Sequence, residues 1–136
     1  MLLSTIRGLF NKERLVKILE SFICFHDSEP SKKVICRYPQ FFGAIKLLKN
    51  IEVHSKGNPE GDGKGGIYFG AAGCGKSYTM LFLTKLLQKS KHLNNPTVLL
   101  ITDRRSLDRQ LYNTFKCHKE FLSSGELARM EGGMQL

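Results

Sequence analysis

Apolar side chains near the start of the chain recur with the period of an α-helix. The positions that share this spacing are Leu15, Ile18, Leu19, Phe22 and Ile23. Residues spaced i, i+3, i+4, i+7 and i+8 lie on one helical face, so the pattern predicts an amphipathic helix. Asn11 stands before the pattern, and asparagine is a residue type that caps helix N-termini.

A second helical pattern follows the polar stretch HDSEPSKK. Its apolar positions are Phe41, Ala44, Ile45, Leu48 and Ile51. Pro39 lies just before them, and proline is tolerated in the first helical turn because the N–H that it lacks has no partner there. We therefore predict a helix that begins near Pro39. Residues 54–66, HSKGNPEGDGKGG, combine five glycines with a proline and charges, which indicates a surface loop.

The middle of the chain alternates short apolar runs with helical patterns. GIYFG at 66–70 and TVLLIT at 97–102 are continuous, β-prone runs, which predict two buried strands of a parallel sheet. Between them we predict a helix from about Lys76 to Lys89. The residues expected to form its core-facing stripe are Met80, Leu83, Leu86 and Leu87.

The run SLDRQLYNTF after the second apolar run predicts another helix, with Ser106 near its cap. The order of elements is therefore strand, glycine-rich loop, helix, strand, helix. This order predicts an α/β fold, in which helices flank a parallel sheet and the crossovers are right-handed.

The charge balance adds a candidate partner. The chain has 21 lysines and arginines against 12 aspartates and glutamates, a formal charge of +9. Such an excess favours polyanionic partners, nucleic acid first. A solvated basic surface is the alternative that charge alone leaves open.

The cysteines are Cys24, Cys36, Cys74 and Cys117, and no two of them form a CxxC pair, which argues against a zinc site. Cys24 and Cys36 lie among apolar residues and are predicted to be buried thiols. Free thiols fit a reducing cytoplasm. No apolar run approaches the roughly 18 residues of a membrane span, so we expect no membrane partner.

The stretch GAAGCGKS, residues 70–77, has the GxxxxGK[ST] spacing of a phosphate-binding loop. This spacing is a specific signal when the loop leaves a strand and enters a helix, as predicted here. Gly70, Gly73 and Gly75 lack Cβ atoms, so the backbone can curl around phosphate oxygens. The N–H groups of residues 73–77 would then form an anion-binding nest, to which the helix N-terminus adds its partial positive charge.

Two side chains in the loop complete the predicted ligand set. Lys76 supplies a full charge to the β- and γ-phosphates, and the Ser77 hydroxyl is placed to coordinate Mg²⁺. Cys74 contributes through its backbone. The predicted ligand is therefore a nucleoside triphosphate with Mg²⁺. The alternative is a chance match in a glycine-rich turn, with Lys76 merely solvated.

Phosphoryl transfer also needs a carboxylate that holds Mg²⁺ through water or orients the attacking water. No apolar strand ending in Asp-Glu follows residue 103. Asp103 ends the second predicted strand, but arginines follow it, which favours a helix cap or a pair with Arg104. We therefore name no catalytic residue and expect ATP binding with little or no turnover.

Several stretches together resemble a known family. GGIYFGAAGCGKSYTMLFL, and the TDRRSLDRQL that follows NNPTVLLI, are similar to the motor (R) subunit of type I restriction endonucleases. That subunit carries superfamily II helicase-like translocase domains. ERLVKILESFICFHD and KKVICRYPQFFGAIKLLKNI resemble the segment that joins its nuclease domain to its first RecA-like domain. The resemblance covers roughly residues 9–117.

The resemblance implies roles for individual residues. Lys76 and Ser77 match the ATP phosphate and Mg²⁺ positions. Gln40, in RYPQ, lies where these motors often place a glutamine near adenine, although a surface glutamine is the plainer explanation. The residues that match the family's motif Ia, beside the DNA track, are Thr102, Asp103 and Arg104. Arg104 has the charge and reach for a phosphate contact, with a pair to Asp108 as the alternative.

The resemblance also implies a domain organisation. Residues 1–53 would form a helical segment that leads into the motor domain, 54–118 an incomplete RecA-like P-loop domain, and 119–136 a weakly structured tail. The family's nuclease domain, acidic Walker B strand and second motor domain have no match here, so we expect a fragment of the restriction subunit. The implied partners are DNA and the modification and specificity subunits.

Two other functions stay open at this point. One is an intact small P-loop protein such as a nucleotide kinase, which would need an arginine-bearing lid and an acceptor pocket. The other is a basic nucleic-acid-binding module whose phosphate loop is vestigial. The DNA target is not defined by the sequence, because in the resembled family a separate subunit sets it.

Overall fold

The computed structural model describes Gly8 and residues 11–94 and 96–122. Its helices are α1 (Lys12–Ser21), α2 (Tyr38–His54), α3 (Lys76–Lys89) and α4 (Arg105–Lys116), followed by a short 3-10 helix at Glu120–Leu122. Two strands, β1 (Ile23–His26) and β2 (Glu29–Ile35), lie between α1 and α2. The rest of the predicted tail, 123–136, lies outside the described residues. Within the described ranges, no helix is both long and apolar enough to cross a membrane.

Helix α1 confirms the first helical prediction in part, because the helix ends at Ser21, with Phe22 as its C-cap, and Ile23 of the predicted face is the first residue of β1. The Asn11 Oδ1 atom accepts a hydrogen bond from the Arg14 backbone N–H at 3.3 Å, which satisfies one of the donors that a helix start leaves open. Ile18 and Phe22 of the predicted face are buried, whereas Leu19 is largely exposed. The end of α1 is held by another helix, because Lys89 Nζ donates to the Glu20 carbonyl at 2.7 Å. A cation at this end also opposes the partial negative charge of the helix terminus.

Strands β1 and β2 form an antiparallel hairpin that the sequence patterns did not predict. Ile23 pairs with Ile35 and Cys24 with Val34, and the register shifts between Phe25 and His26. The hairpin turn docks on the chain after α4. There the Asp27 N–H donates to the Cys117 carbonyl at 2.8 Å, and Asp27 Oδ2 accepts from the Lys119 N–H at 2.8 Å.

Helices α2, α3 and α4 form where the sequence predicts them. Helix α2 begins one residue before Pro39, and α3 has the predicted bounds. Helix α4 begins at Arg105, after Arg104 as its N-cap, so Ser106 lies inside the first turn instead of at the cap. The polar segment predicted as a loop at 54–66 is a loop from residue 55 onward, since His54 ends α2. Asp62 organises this loop by accepting from the Lys64 N–H and pairing with His54 Nδ1.

Helix α3 is at the centre of the core. It packs against α1, α2, α4 and the 3-10 helix, so it buries side chains on more than one face. Its buried residues are Thr79, Leu81, Phe82, Thr84, Lys85 and Leu86. The single apolar stripe predicted for this helix is therefore only partly correct, since Leu86 is buried but Met80 is exposed. A helix covered on several sides does not show one narrow apolar stripe.

Three phenylalanines from different elements meet beside α3. The Phe22 ring lies 4.8 Å from that of Phe41 and 5.4 Å from that of Phe82, measured between ring centroids. The pairs are tilted, which is a favourable arrangement for aromatic rings, and Phe22 and Phe82 are fully buried. This cluster joins the end of α1, the start of α2 and the middle of α3.

The two predicted parallel strands are not formed in the described residues, whose one sheet is the β1–β2 hairpin. Segments 66–70 and 96–102 are without regular secondary structure. Their apolar side chains face solvent, with Ile67 96%, Phe69 95%, Leu99 74% and Ile101 84% exposed. An apolar run becomes a strand only when its N–H and C=O groups pair with a neighbouring strand, and no described segment pairs with either run.

The segment 66–70 nevertheless has a defined course along α2. Asn50 Nδ2 donates to the Gly65 carbonyl at 2.9 Å, which fixes the start of the segment. The Tyr68 ring lies so close to Gly43 that a Cβ there would be 2.6 Å from Tyr68 Cε2. Helix α2 therefore positions the residues that lead into GAAGCGKS.

Two cysteines are shielded to different extents. Cys24 is buried and Cys36 half-buried, so the prediction of a buried thiol is confirmed fully at Cys24 and in part at Cys36. Burial, together with a smaller contribution from the nearby Asp27 carboxylate, raises the pKa of the Cys24 thiol to about 12. Burial likewise raises the pKa of Cys36 to about 11.

Replacement of Phe22 by alanine should strongly destabilise the fold. Truncation of a fully buried phenylalanine removes its apolar surface and leaves a cavity, which typically costs about 3–5 kcal/mol. Phe25, which is half exposed, provides a matched control of the same residue type. Urea unfolding followed by circular dichroism should show a much larger loss for Phe22→Ala than for Phe25→Ala. Equal losses would contradict the central place given to the aromatic cluster.

Ionisation of Cys24 should reduce stability at high pH. Its folded-state pKa of about 12 lies above the ordinary value of 9.0, so the unfolded chain releases this proton first as the pH rises. The contribution of the neutral thiol is complete below about pH 9 and is lost as the pH rises towards about 12. Unfolding free energies should thus fall less steeply with rising pH in Cys24→Ala than in the unsubstituted chain.

Candidate functional site

The loop GAAGCGKS has the backbone conformation that its glycines allow. Gly73 has φ 74° and Gly75 has φ 82°, both in the left-handed region that favours glycine. A Cβ at Gly73 would meet nothing within 4 Å, so the constraint at that position is the backbone angle. At Gly70 the constraint is space, because a Cβ there would lie 2.7 Å from Cys74 Sγ.

The loop leads directly into α3, with Gly75 as the N-cap. The first N–H groups of a helix have no acceptor within the helix, and they point out of its N-terminus. The Gly75 carbonyl points the other way, into α3, and accepts from the Thr79 N–H at 3.1 Å and from Thr79 Oγ1 at 3.3 Å. The first turn of α3 contains no acidic residue. The end of the loop is therefore electropositive and firmly joined to the helix.

The Lys76 ammonium group folds back over the loop. Its Nζ atom donates to the Gly70 carbonyl at 3.0 Å and to the Ala71 carbonyl at 2.9 Å. These bonds hold the exposed ammonium group against the backbone of the loop. The electrostatic consequence is that a full positive charge lies beside the N-terminus of α3.

Gln40 reaches the loop from the first turn of α2. Its Oε1 atom accepts from the Arg37 N–H at 2.7 Å, and its Nε2 atom donates to the Gly75 carbonyl at 3.0 Å. The side chain is only 4% exposed, so the plainer expectation of a surface glutamine is wrong. A Cβ at Gly75 would collide with Gln40 Nε2, which is a second reason for glycine at that position.

Thr102, Asp103 and Arg104 lie on the segment that leads into α4, with Arg104 as its N-cap. Asp103 and Arg104 are exposed and pair with each other at 3.8 Å. Both line an open groove of about 370 Å³, and the other residues that line it are Ser106, Leu107 and Gln110. This groove is polar, in keeping with its position at the exposed start of α4.

Gln110 connects this groove with the loop. Its Nε2 atom lies 3.5 Å from Ser77 Oγ, at the long end of hydrogen-bonding distance. The sequence patterns did not predict this contact, because the two residues are far apart in the chain and a glutamine in a polar helix carries no positional signal. Helical spacing places Gln110 on the same side of α4 as Leu107, and this is the one local signal that Gln110 faces the groove.

A metal centre built from protein side chains is not found in the part of the chain that the structure describes. No three His, Cys, Asp or Glu side chains come together there in a metal-binding arrangement. Ser77, at the start of α3, is the candidate metal ligand that the loop supplies. A hydroxyl oxygen is a ligand type that suits Mg²⁺ in company with phosphate oxygens.

Comparison with known proteins connects these observations to a family. Residues 39–131 match the family model described as SWI2/SNF2 ATPase. The chain is 45% identical over 109 residues to the putative type I restriction enzyme MjaIXP endonuclease subunit of Methanocaldococcus jannaschii, covering 79% of this chain and 10% of that protein.

A second relative points the same way. The chain is 32% identical over 121 residues to the type I restriction enzyme HindI endonuclease subunit of Haemophilus influenzae, covering 88% of this chain and 11% of that protein. The chain thus spans about a tenth of the length of these relatives. No solved structure matches it significantly.

The two comparisons confirm the resemblance predicted from GAAGCGKS and TDRRSLDRQL. The matched regions contain the loop, α2, α3 and α4, which are the elements that build the candidate site. The chain belongs to the SWI2/SNF2 ATPase family, and its curated homologues are endonuclease subunits of type I restriction enzymes.

Proposed function

We propose that this chain is the ATP–Mg²⁺-binding part of the DNA-translocating subunit of a type I restriction enzyme. The observation that carries the proposal is the loop of residues 70–77, which curls through two left-handed glycines into the N-terminus of α3 under the Lys76 ammonium group. The whole subunit would hydrolyse ATP to move along duplex DNA and would cleave it. This chain alone would bind nucleotide with little or no turnover.

The phosphates of ATP are the part of the ligand that the loop suits. The N–H groups at the start of α3 and the partial charge of that helix favour an anion. Lys76 would exchange its bonds to the Gly70 and Ala71 carbonyls for bonds to β- and γ-phosphate oxygens, as a flexible ammonium group with three donors can do. Gly70, Gly73 and Cys74 would contribute backbone groups.

Ser77 would hold Mg²⁺ through its hydroxyl oxygen, with phosphate oxygens and water as the remaining ligands. Bound Mg²⁺ neutralises charge on the phosphates and orients them. Gln40 would lie near the adenine of the bound nucleotide. Its amide is already bonded to the Arg37 N–H and to the Gly75 carbonyl. A contact with adenine would therefore be an additional hydrogen bond or would replace one of these two.

The proposal includes a parallel sheet around the phosphate loop. Segments 66–70 and 97–102 would be strands of a RecA-like parallel sheet, because they flank the loop and α3 in the required order and expose apolar side chains. Residues 54–118 would form the P-loop part of that domain, with 1–53 leading into it and 119–136 following. Exposed apolar rows of this kind are what neighbouring strands and helices cover.

DNA is the proposed macromolecular ligand of the segment Thr102, Asp103 and Arg104. The exposed Arg104 guanidinium and the formal charge of +9 favour contact with phosphate groups, which need charge and reach but no base recognition. Modification and specificity subunits are the proposed protein partners, in the cytoplasm. A basic nucleic-acid-binding module with an inactive loop is the second candidate, and the same charge favours it.

Replacement of Lys76 by alanine should abolish most nucleotide affinity. Loss of a charged donor to phosphate should weaken binding of a fluorescent ATP analogue by about ten- to a hundredfold in the presence of Mg²⁺. Lys64→Ala is the matched control, since Lys64 lies in another glycine-rich stretch and its side chain is 84% exposed. Equal, tight binding by both variants would remove the loop from the proposal, and rapid ATP hydrolysis by this chain would contradict the expected lack of turnover.

Replacement of Arg104 by alanine should weaken duplex DNA binding without regard to sequence. Loss of one phosphate contact should reduce the slope of log affinity against log salt concentration by about one unit. Fluorescence anisotropy with a labelled duplex at several salt concentrations measures this slope. DNA binding that ignores Arg104, together with no nucleotide binding by the unsubstituted chain, would favour the basic module instead.

A further inference from the structure

Helix α4 is anchored so that one of its polar side chains faces the start of α3. Leu111 and Phe115 are buried, and they hold α4 in the core beside α3. Gln110 directly precedes Leu111 in α4, and its side chain lines the groove at the start of that helix. From there its Nε2 atom comes within 3.5 Å of Ser77 Oγ. The burial of Leu111 therefore fixes the position of Gln110 relative to Ser77.

A hydrogen bond from the Gln110 amide is compatible with metal binding by the Ser77 hydroxyl. A serine hydroxyl oxygen has two lone pairs and one hydrogen, and a glutamine amide nitrogen can only donate. A bond from Gln110 Nε2 therefore uses one lone pair of Ser77 Oγ and leaves the other for a cation. The bond also restricts rotation of the Ser77 side chain, which is otherwise free to choose among staggered rotamers.

We infer that Gln110 is a positioning residue for the Mg²⁺ ligand Ser77, so that helix α4 sets the cation affinity of the nucleotide site. This inference rests on the proposed function, because it assigns Ser77 to Mg²⁺. Gln110 itself touches neither nucleotide nor metal. Its effect is to hold the Ser77 hydroxyl before the cation arrives, which lowers the cost of ordering that ligand.

The position of Gln110 gives this contact a further significance. The same side chain lines the groove that contains Asp103 and Arg104, the residues proposed to lie beside DNA. One glutamine thus belongs both to the wall of the groove and to the surroundings of the metal ligand. A displacement of α4 relative to α3 changes the distance between Gln110 and Ser77 directly, without any change in the loop.

Gln110→Met tests the inference, because methionine keeps the length of the side chain and removes its donor. The probe is a fluorescent ATP analogue bound to the full chain while MgCl₂ is titrated from an EDTA-buffered baseline. The Mg²⁺ concentration at half-maximal binding should rise by about two- to tenfold, the factor that one net hydrogen bond is worth. Affinity for the analogue without Mg²⁺ should be unchanged, and so should the thermal unfolding temperature.

Two further variants isolate the route. Asn113→Leu, at an exposed position one turn along α4, should leave the Mg²⁺ midpoint unchanged. In a Ser77→Ala background, Gln110→Met should have no additional effect, because a residue that acts through Ser77 has nothing to position there. Unchanged midpoints in Gln110→Met, or an undiminished shift in the Ser77→Ala background, would overturn the inference.

The proposed function can fail in a distinguishable way. If the unsubstituted chain shows no Mg²⁺-dependent binding of the analogue, the nucleotide assignment fails and the role of Gln110 fails with it. If binding persists and is lost in Lys76→Ala but the Gln110→Met midpoint does not move, the nucleotide assignment stands and only the positioning role is rejected.

Discussion

The contact of Phe22 with Phe41 and Phe82 is the interaction on which the remaining geometry depends. It fixes the start of α2 against the middle of α3, and Gln40 is the residue next to Phe41 in the chain. With Phe41 held in the core, the Gln40 amide reaches the Gly75 carbonyl and holds the end of the phosphate loop. A hydrophobic cluster thus determines the position of a polar contact, which in turn determines where α3 begins.

The helices could be predicted because their determinants are local. Asn11 caps α1 through a residue three positions away, and Pro39 marks the start of α2 in the same local manner. Strand formation depends on partners that periodicity does not reveal. The apolar run containing Ile67 and Phe69 has the composition of a strand, yet it finds no neighbour among the described residues. The β1–β2 hairpin is not predicted by periodicity, because its turn lies in the polar stretch HDSEPSKK, which is equally typical of the end of a helix.

The candidate site also combines features that local sequence determines with contacts that only the folded chain creates. The glycine angles and the approach of Lys76 to the loop follow from the motif, since the spacing of these residues is sufficient to place them. The Gln40–Gly75 and Gln110–Ser77 hydrogen bonds do not follow from any motif, because each of them joins residues more than 30 positions apart. A sequence can thus identify which ligand chemistry a loop suits, while the side chains that support the loop from other helices emerge only in the folded chain.

The two ends of α4 are constrained to different extents. Asp27 holds the chain just beyond the C-terminal end of α4 through the Cys117 carbonyl and the Lys119 N–H, whereas the N-terminal end of the helix is exposed. The buried Leu111 and Phe115 hold the middle and the end of the helix in the core. The first turn of α4 is therefore the part of the helix with the fewest constraints, and a ligand bound there meets the least resistance to adjustment.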